Sequence, residues 1–416
     1  MGAAITRIFS AIPRDGFTGA PPTTAAGERL LANIQGLAPG ILARAAEIEA
    51  ARRIPLDLIA ALKSAGFFRM YAPRSHGGLE LDLPTGLEIT AALSRIDGSV
   101  GWTAMIGSGS TLFAPLLPRA TYEQVYRNGP DVILAGSTAP IGKAEAAPGG
   151  WRVSGRWPFV SGCQHADWMA GFCVISEHGK PLAAAGGGPA VRAVLLPAHD
   201  WQIEDTWHAA GLKGTGSHDI VLSERIVPEA NFFDFERQAC VPGSLYRTVP
   251  HALPLFLCAV AVGIAEGALD DLVSLANTGR QQLRTAVSML ESETFQYEVG
   301  RVAADLKAAR ASFEAQTASH WRHAEAGTLT GEALLTEGLQ TGIWVVATCV
   351  RVADACFTLG GGHAVYESSP LQRRMRDLHA IAQHATIHER HYTAGGKAAL
   401  ARPQRPDEPR DRETVR

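Results

Sequence analysis

The sequence predicts an α+β chain in three units: an all-helical N-terminal unit, a central β-barrel and a C-terminal four-helix bundle. Three observations predict it. Apolar residues recur at spacings of three and four through the first hundred residues or so. Between about 130 and 232 the pattern changes to short β-type segments punctuated by Gly, Pro and Asp. Helical periodicity returns near Pro250 and persists to about His391. The expected units are 23–128, 129–235 and 245–393, followed by a flexible tail over 394–416.

The elements follow in order. Residues 1–22 are rich in Gly and Pro and read as a loose arm. Leu30, Ile34, Leu37, Ile41 and Ala45 form one helical stripe. Pro55 opens a second helix, because a first turn has no use for the missing N–H, and Gly66 is a natural stop. A helix over Leu83 to Ser94 precedes DGSVGW. VILAGSTAP, WRVSGRWPFVSG, WMAGFCVI, VRAVLLP, WQIEDTW and HDIVLSERIVP then read as strands of a compact sheet or barrel. Val302, Leu306, Ala309, Phe313 and Trp321 hold the stripe that a bundle requires. Leu359-Gly-Gly-Gly-His363 breaks two helices, and the final charged, Pro-bearing segment is the expected tail.

Composition excludes several classes. The 416 residues are 46% hydrophobic and 19% charged, which suffices for a large core. With 38 basic against 41 acidic residues there is no electrostatic case for nucleic acid or an anionic membrane. The apolar run Ala252 to Ala265 is 14 residues long and reads as a buried core helix, since a membrane span needs roughly 18 or more. Six cysteines without a CxxC pair are no disulfide framework, and a reducing cytoplasm is expected. Arg7 and Arg14 make the N-terminus a poor signal peptide. Gly2 and Thr6 match a myristoylation pattern short enough to arise by chance. Neither GxGxxG after a strand, nor a P-loop, nor a GxSxG elbow is present.

Three blocks carry a resemblance: DGSVGW (97–102), GRWPFVSGCQHADW (155–168) with GLKGTGSHDI (211–220), and GGGHAVYESSPLQRRMRDLHAIAQH (360–384). With the α–β–α order, they make the chain similar to the acyl-CoA dehydrogenase fold. More narrowly, it resembles that fold's two-component flavin-dependent monooxygenases, such as the 4-hydroxyphenylacetate and steroid-phenol hydroxylases. The resemblance implies that a separate flavin reductase delivers FMNH2 or FADH2 to a cleft between barrel and helices. It implies that O2 adds at flavin C4a and that the hydroperoxide hydroxylates an aromatic substrate, phenolic or polycyclic. A homotetramer built through the C-terminal bundle is also implied.

The residues support this chemistry. A hydroperoxide is lost when water or a proton reaches N5, so a dry cavity with few, fixed polar groups is needed. Ser161 is the polar group of an apolar turn, and the resemblance faces it to flavin N5, where a hydroxyl can donate or accept. Its plainer reading is a turn serine. Trp102 is either a stacking partner of the flavin, as the resemblance has it, or a core anchor. His384 is the catalytic candidate: a neutral imidazole can take a phenolic proton as the ring attacks. In dehydrogenases of the fold a glutamate follows the Arg-Asp pair, whereas here His384 stands next to that place. A structural histidine is the alternative. His384, His388 and His391 at i, i+4 and i+7 raise a metal site, but no HExxH accompanies them and no metal is expected. Arg280 resembles the arginine that binds flavin phosphate, with a solvated helix end as the alternative. Gly361 and Gly362 occupy a break that the fold brings near that phosphate, and they equally suit a helix cap. Arg376 and Asp377 read as an ion pair or helix cap.

On the substrate side, Ser110 stands where some phenol hydroxylases of the family have a histidine. Ser137 is a second polar candidate, and Phe113 suggests a more apolar pocket or core. Oxygenation of nitrogen or sulfur on the same fold is the alternative function. An acyl-CoA dehydrogenase and a silent scaffold follow behind it.

Overall fold

The structure, a computed structural model, describes residues 24–281 and 287–401. The expected N-terminal arm lies outside the described residues. Helix α1 (Ala25–Ala43) begins where Thr24 Oγ1 accepts from Gly27 N at 3.2 Å, and it buries Leu30, Ile34, Ala38 and Ile41. Next come α2 (Ala45–Ala51) and α3 (Leu56–Ala65), the latter stopped by Gly66 at φ 97° as its sequence predicts. Then α4 (Leu83–Ile96) and α5 (Gly98–Gly109) meet at Asp97. Each starts on an aspartate cap: Asp82 accepts from Thr85 N at 2.8 Å and Asp97 from Val100 N at 3.0 Å. A short α6 (Arg119–Val125) closes the unit.

Eight strands follow: β1 (Leu134–Ala147), β2 (Gly150–Val160), β3 (Trp168–Glu177), β4 (Lys180–Pro181), β5 (Val191–Pro197), β6 (Gln202–Glu204), β7 (His218–Val227) and β8 (Phe232–Phe233). They pair in the order β6-β7-β2-β1-β3-β5-β8, with β4 beside β3. Only β1 and β3 run parallel among these pairs. Residues near both ends of that order, Ile220 and Phe232, share one buried cluster with Trp157 and Val194, so the sheet curls around a core of its own. Trp157 is fully buried and donates from Nε1 to Phe172 O at 2.8 Å. Its ring lies over three glycines: a Cβ on Gly142, Gly155 or Gly171 would stand 2.0, 2.6 and 2.6 Å from it.

The C-terminal helices are α7 (Leu253–Ala276), α8 (Glu293–Ala326), α9 (Glu332–Gly360) and α10 (Pro370–Ile381), followed by α11 (Tyr392–Leu400). The stretch expected to be loose from 394 therefore begins as helix, and its remainder, 402–416, lies outside the described residues. Two stretches, α7 and Glu332–Val365, are long and apolar enough to cross a membrane. The apolar window of α7 is 89% buried inside the protein, as a core helix must be; that of the second is 50% buried.

The first and third of the expected units pack against each other. The two helical units share one buried apolar cluster that runs from Leu30 to Ile387. Their helices approach closely: a Cβ on Gly263 of α7 would meet Ala91 O of α4 at 2.1 Å. An ion pair ties the same crossing together, Arg95 on Asp270 at 2.5 Å, and Arg374, paired with Asp271 at 3.0 Å, also donates to Ser94 O of α4 at 3.3 Å.

Candidate active site

Ser161 sits just past β2. The register of β2 against β7 shifts between Trp157 and Val160, a bulge made by Pro158, which has no N–H to pair, and Phe159 at φ 63°. A positive φ at a bulky residue is strained, and such strain persists where surrounding contacts fix it. Here Ser161 N donates to Phe159 O at 3.0 Å and Gly162 N to Thr215 O at 2.8 Å, which pins the turn on the loop before β7. The Phe159 ring is left 70% exposed.

The turn presents Ser161 to α5. Trp102 Nε1 donates to Ser161 Oγ at 2.9 Å. Trp102 and Ser161 are both buried. The helix carrying Trp102 lies hard against α4, where a Cβ on Gly101 would overlap Ser94 Oγ at 2.0 Å. Beyond Ser161, its Oγ is 2.7 Å from Ser217 Oγ, which is 2.7 Å from Thr215 Oγ1, which donates to Leu212 O at 2.8 Å. Ser217 and Thr215 belong to GTGS, a segment whose hydroxyls sequence reasoning passed over.

His384 joins the same cluster: its ring centroid lies 6.0 Å from that of Trp102, with the planes tilted at 59°. It follows α10 and caps the turn Ala385–Ile387, where Nδ1 accepts from Thr386 N at 3.2 Å. Burial lowers its pKa and favours the neutral ring. With Nδ1 accepting, the proton of that neutral ring resides on Nε2. In this tautomer Nε2 is left to donate, whereas taking a phenolic proton there uses the tautomer protonated at Nδ1. The one-face reading of His384, His388 and His391 also fails, because the segment is two 3-10 turns rather than a helix. His388 Nδ1 accepts from Arg390 N at 3.1 Å, and His391 Nε2 donates to Ala385 O at 3.0 Å. Among the described residues no group of three or more His, Cys, Asp or Glu is placed to hold a metal ion.

Arg376 and Asp377 do not pair with each other. Arg376 reaches Glu49 at 2.7 Å. Asp377 is buried on α10 and accepts from Leu212 N at 2.6 Å. Its pKa is raised to about 7, first by burial and then by the charge of Asp97.

The other expected residues lie outside the Trp102–Ser161–His384 cluster. Arg280 is exposed past the end of α7, with its carbonyl accepting from Met289 N at 2.8 Å. Gly361, at φ 58°, and Gly362 are exposed where α9 ends. Ser110 is half-buried at the C-terminus of α5, and Ser137 is half-buried at the register shift of β1. Phe113 packs among aromatic rings, 6.0 Å from Phe233 and 5.6 Å from Phe235.

These residues fit a reduced flavin. A buried indole donates to a serine hydroxyl and has an imidazole beside it, which offers a planar ring an apolar surface with one polar edge. Thr103 Oγ1, beside the Ser161 turn, is buried without a hydrogen-bond partner and leaves further polar capacity at the same place.

Comparison with known proteins agrees. Residues 30–133 match the acyl-CoA dehydrogenase N-terminal domain and residues 255–389 the acyl-CoA dehydrogenase C-terminal domain. The chain is 32% identical over 388 residues to the oxygenase component of the FADH(2)-dependent resorcinol hydroxylase of a Rhizobium species, covering 88% of this chain and 92% of that one. The crystal structure of 3-HSA hydroxylase from Rhodococcus sp. RHA1 superposes with TM-score 0.83 at 27% identity, covering 91% and 98% of the two chains. XiaF from a Streptomyces species, solved with FADH2 and glycerol, gives TM-score 0.82 at 28% identity over 92% and 98%. Likeness of this extent, on a site of this composition, makes the chain a member of the acyl-CoA dehydrogenase-fold flavin-dependent monooxygenases, an oxygenase component that uses reduced flavin and O2.

Proposed function

We propose that this oxygenase hydroxylates an aromatic ring, phenolic or polycyclic, with reduced flavin supplied by a separate reductase in the cytoplasm. The observation that carries the site assignment is the buried Trp102–Ser161 hydrogen bond with His384 beside it. Reduced flavin supplies the electrons that activate O2. The protein's part is to hold and shield. Trp102 and the Phe159 ring offer apolar surface to the isoalloxazine, and Ser161 meets its N5 edge. His384 donates from Nε2 to the oxygen of the substrate. A donor there stabilises a phenolate over a phenol and so keeps the ring electron-rich at its ortho carbon. Arg280, Gly361 and Gly362 serve the phosphate end, where exposed guanidinium and backbone N–H groups suit an anion. Ser110, Ser137 and the aromatic group around Phe113 serve the substrate.

An aromatic substrate is favoured over an amine or sulfide because a relative above 30% identity acts on resorcinol. The half-exposed apolar helix α9, with Trp344 41% exposed, supports a homotetramer formed through the C-terminal helices. The test supplies FADH2 and isotopically labelled O2 to the protein with a panel of phenols, indoles and polycyclic phenols. One labelled oxygen atom should enter a product. If every member of the panel leaves all reducing equivalents as hydrogen peroxide, the proposal fails.

A further inference from the structure

The hydroxyl chain behind Ser161 has a direction. Its far end is the carbonyl of Leu212, which can only accept, so the Thr215 hydroxyl spends its single proton there at 2.8 Å. Thr215 Oγ1 must then accept from Ser217 at 2.7 Å. With its one proton spent, Ser217 Oγ must accept from Ser161, also at 2.7 Å. Ser161 is therefore a donor to Ser217, and one of its two lone pairs is filled by Trp102 Nε1–H at 2.9 Å. All four residues are at least nine-tenths buried, so bulk water does not offer the hydroxyls an alternative orientation. What Ser161 has left is one lone pair and no proton.

We propose that Thr215 and Ser217 are positioning residues that fix Ser161 as an acceptor and so make the site select reduced over oxidised flavin. This rests on the placement of Ser161 at N5. Reduced isoalloxazine carries a proton on N5 and can donate to the free lone pair. Oxidised isoalloxazine has only a lone pair on N5, and two acceptors would face each other. The same bond holds the N5 proton in place. A component that must take up FADH2 from a reductase, and release the flavin once it is oxidised, gains from both effects.

The test measures dissociation constants of the whole protein for oxidised FAD and, anaerobically, for dithionite-reduced FAD. The variants are Ser217→Ala, Thr215→Val, Thr215→Ser and Ser161→Ala. Without Ser217, the Ser161 hydroxyl has no acceptor behind it and can turn its proton toward N5. In Thr215→Val, which keeps the side-chain shape, Ser217 is free to donate to Ser161 with the same result. Both should shift the ratio of the two constants about tenfold toward oxidised flavin, the scale of one hydrogen bond made or lost. For a two-electron couple that is about 30 mV in the potential of the bound flavin. Thr215→Ser keeps the hydroxyl and should retain the wild-type ratio, which separates polarity from packing. If Ser161→Ala moves the ratio while Ser217→Ala and Thr215→Val leave it within about twofold, the polarity inference is overturned and the N5 placement stands. If Ser161→Ala also leaves the ratio unchanged, the placement itself is wrong and the inference falls with it.

Discussion

Pairing of Trp102 with Ser161 can be measured as a coupling energy in the flavin-free protein. Ser161→Ala removes the hydrogen-bond partner of the indole N–H at a position where both residues are 5% exposed, so water does not replace it. A buried donor left without a partner costs about 1–3 kcal/mol, and about 2 kcal/mol is expected here. Trp102→Phe removes the donor and some ring volume, and adds a cavity cost of about 1–3 kcal/mol. That cavity term occurs in both the single variant and the double variant, so a double-mutant cycle cancels it. Once the indole N–H is gone, Ser161→Ala no longer orphans anything on α5. The double variant should therefore be more stable than the sum of the single effects by about 1–2 kcal/mol. Urea denaturation followed by circular dichroism gives the four stabilities without relying on tryptophan fluorescence. Additivity to within about 0.5 kcal/mol would show that the bond contributes nothing, and the site would lose its organising contact.

Three further outcomes follow from particular contacts. His384→Ala should lower product formation by about a hundredfold, as loss of one fixed donor to a developing charge does, while flavin oxidation continues and peroxide accounts for the electrons; unchanged product yield per reduced flavin would remove His384 from the chemistry. Asp377 has its pKa raised to about 7 in the fold, so the native state binds the extra proton and stability declines as pH rises from about 4 to about 7. Asp377→Asn keeps an acceptor for Leu212 N and cannot ionise, so its unfolding free energy should gain on the wild type between pH 5 and pH 8, by a margin on the order of a few kcal/mol; parallel curves would contradict a buried titrating carboxyl. Gly142→Ala would put a methyl 2.0 Å from the fully buried Trp157 ring, and a loss of about 3 kcal/mol or more is expected in thermal unfolding, with a near-neutral result refuting the tight packing.

Elements with a strong period were legible in the sequence. The stripe of Leu30, Ile34 and Ile41 and the stop at Gly66 both appear as read, because each is a local consequence of helical geometry. Trp102, Ser161 and His384 were also found from motifs, and the structure brings them together. What the sequence hid were relations between distant segments. Nothing local tells that Asp377 will turn from Arg376 toward Leu212 N, because the choice depends on how close the chain passes at Gly211, where a Cβ would overlap Arg376 O at 2.0 Å. The tautomer of His384 was hidden for the same reason: it follows from a 3-10 turn that replaces the expected continuation of a helix. The helical start of the tail was hidden too, since it depends on the close approach of Gly395, which is buried, to Gln340 of α9.

The loop over Gly211–Ser217 is where these hidden relations converge. Leu212 adopts φ 48°, a conformation that a branched side chain rarely takes, and two contacts hold it there. Its N–H is bound by Asp377 from α10, and its carbonyl receives the Thr215 hydroxyl. Two residues on, Gly214 N donates to Ser99 Oγ at 3.2 Å in the first turn of α5, three positions before Trp102. Thr215 O takes the N–H of Gly162 on the Ser161 turn. One seven-residue stretch thus touches the C-terminal helices, the N-terminal helices and the sheet, through two backbone N–H groups held by side chains and one backbone carbonyl. The polarity of Ser161 is then set by atoms that the shared helical core holds in place, not by the sheet that carries the serine. A site whose donors and acceptors are fixed in this way does not reorganise when flavin arrives, and that fixed arrangement is what a short-lived oxygenating species needs from its surroundings.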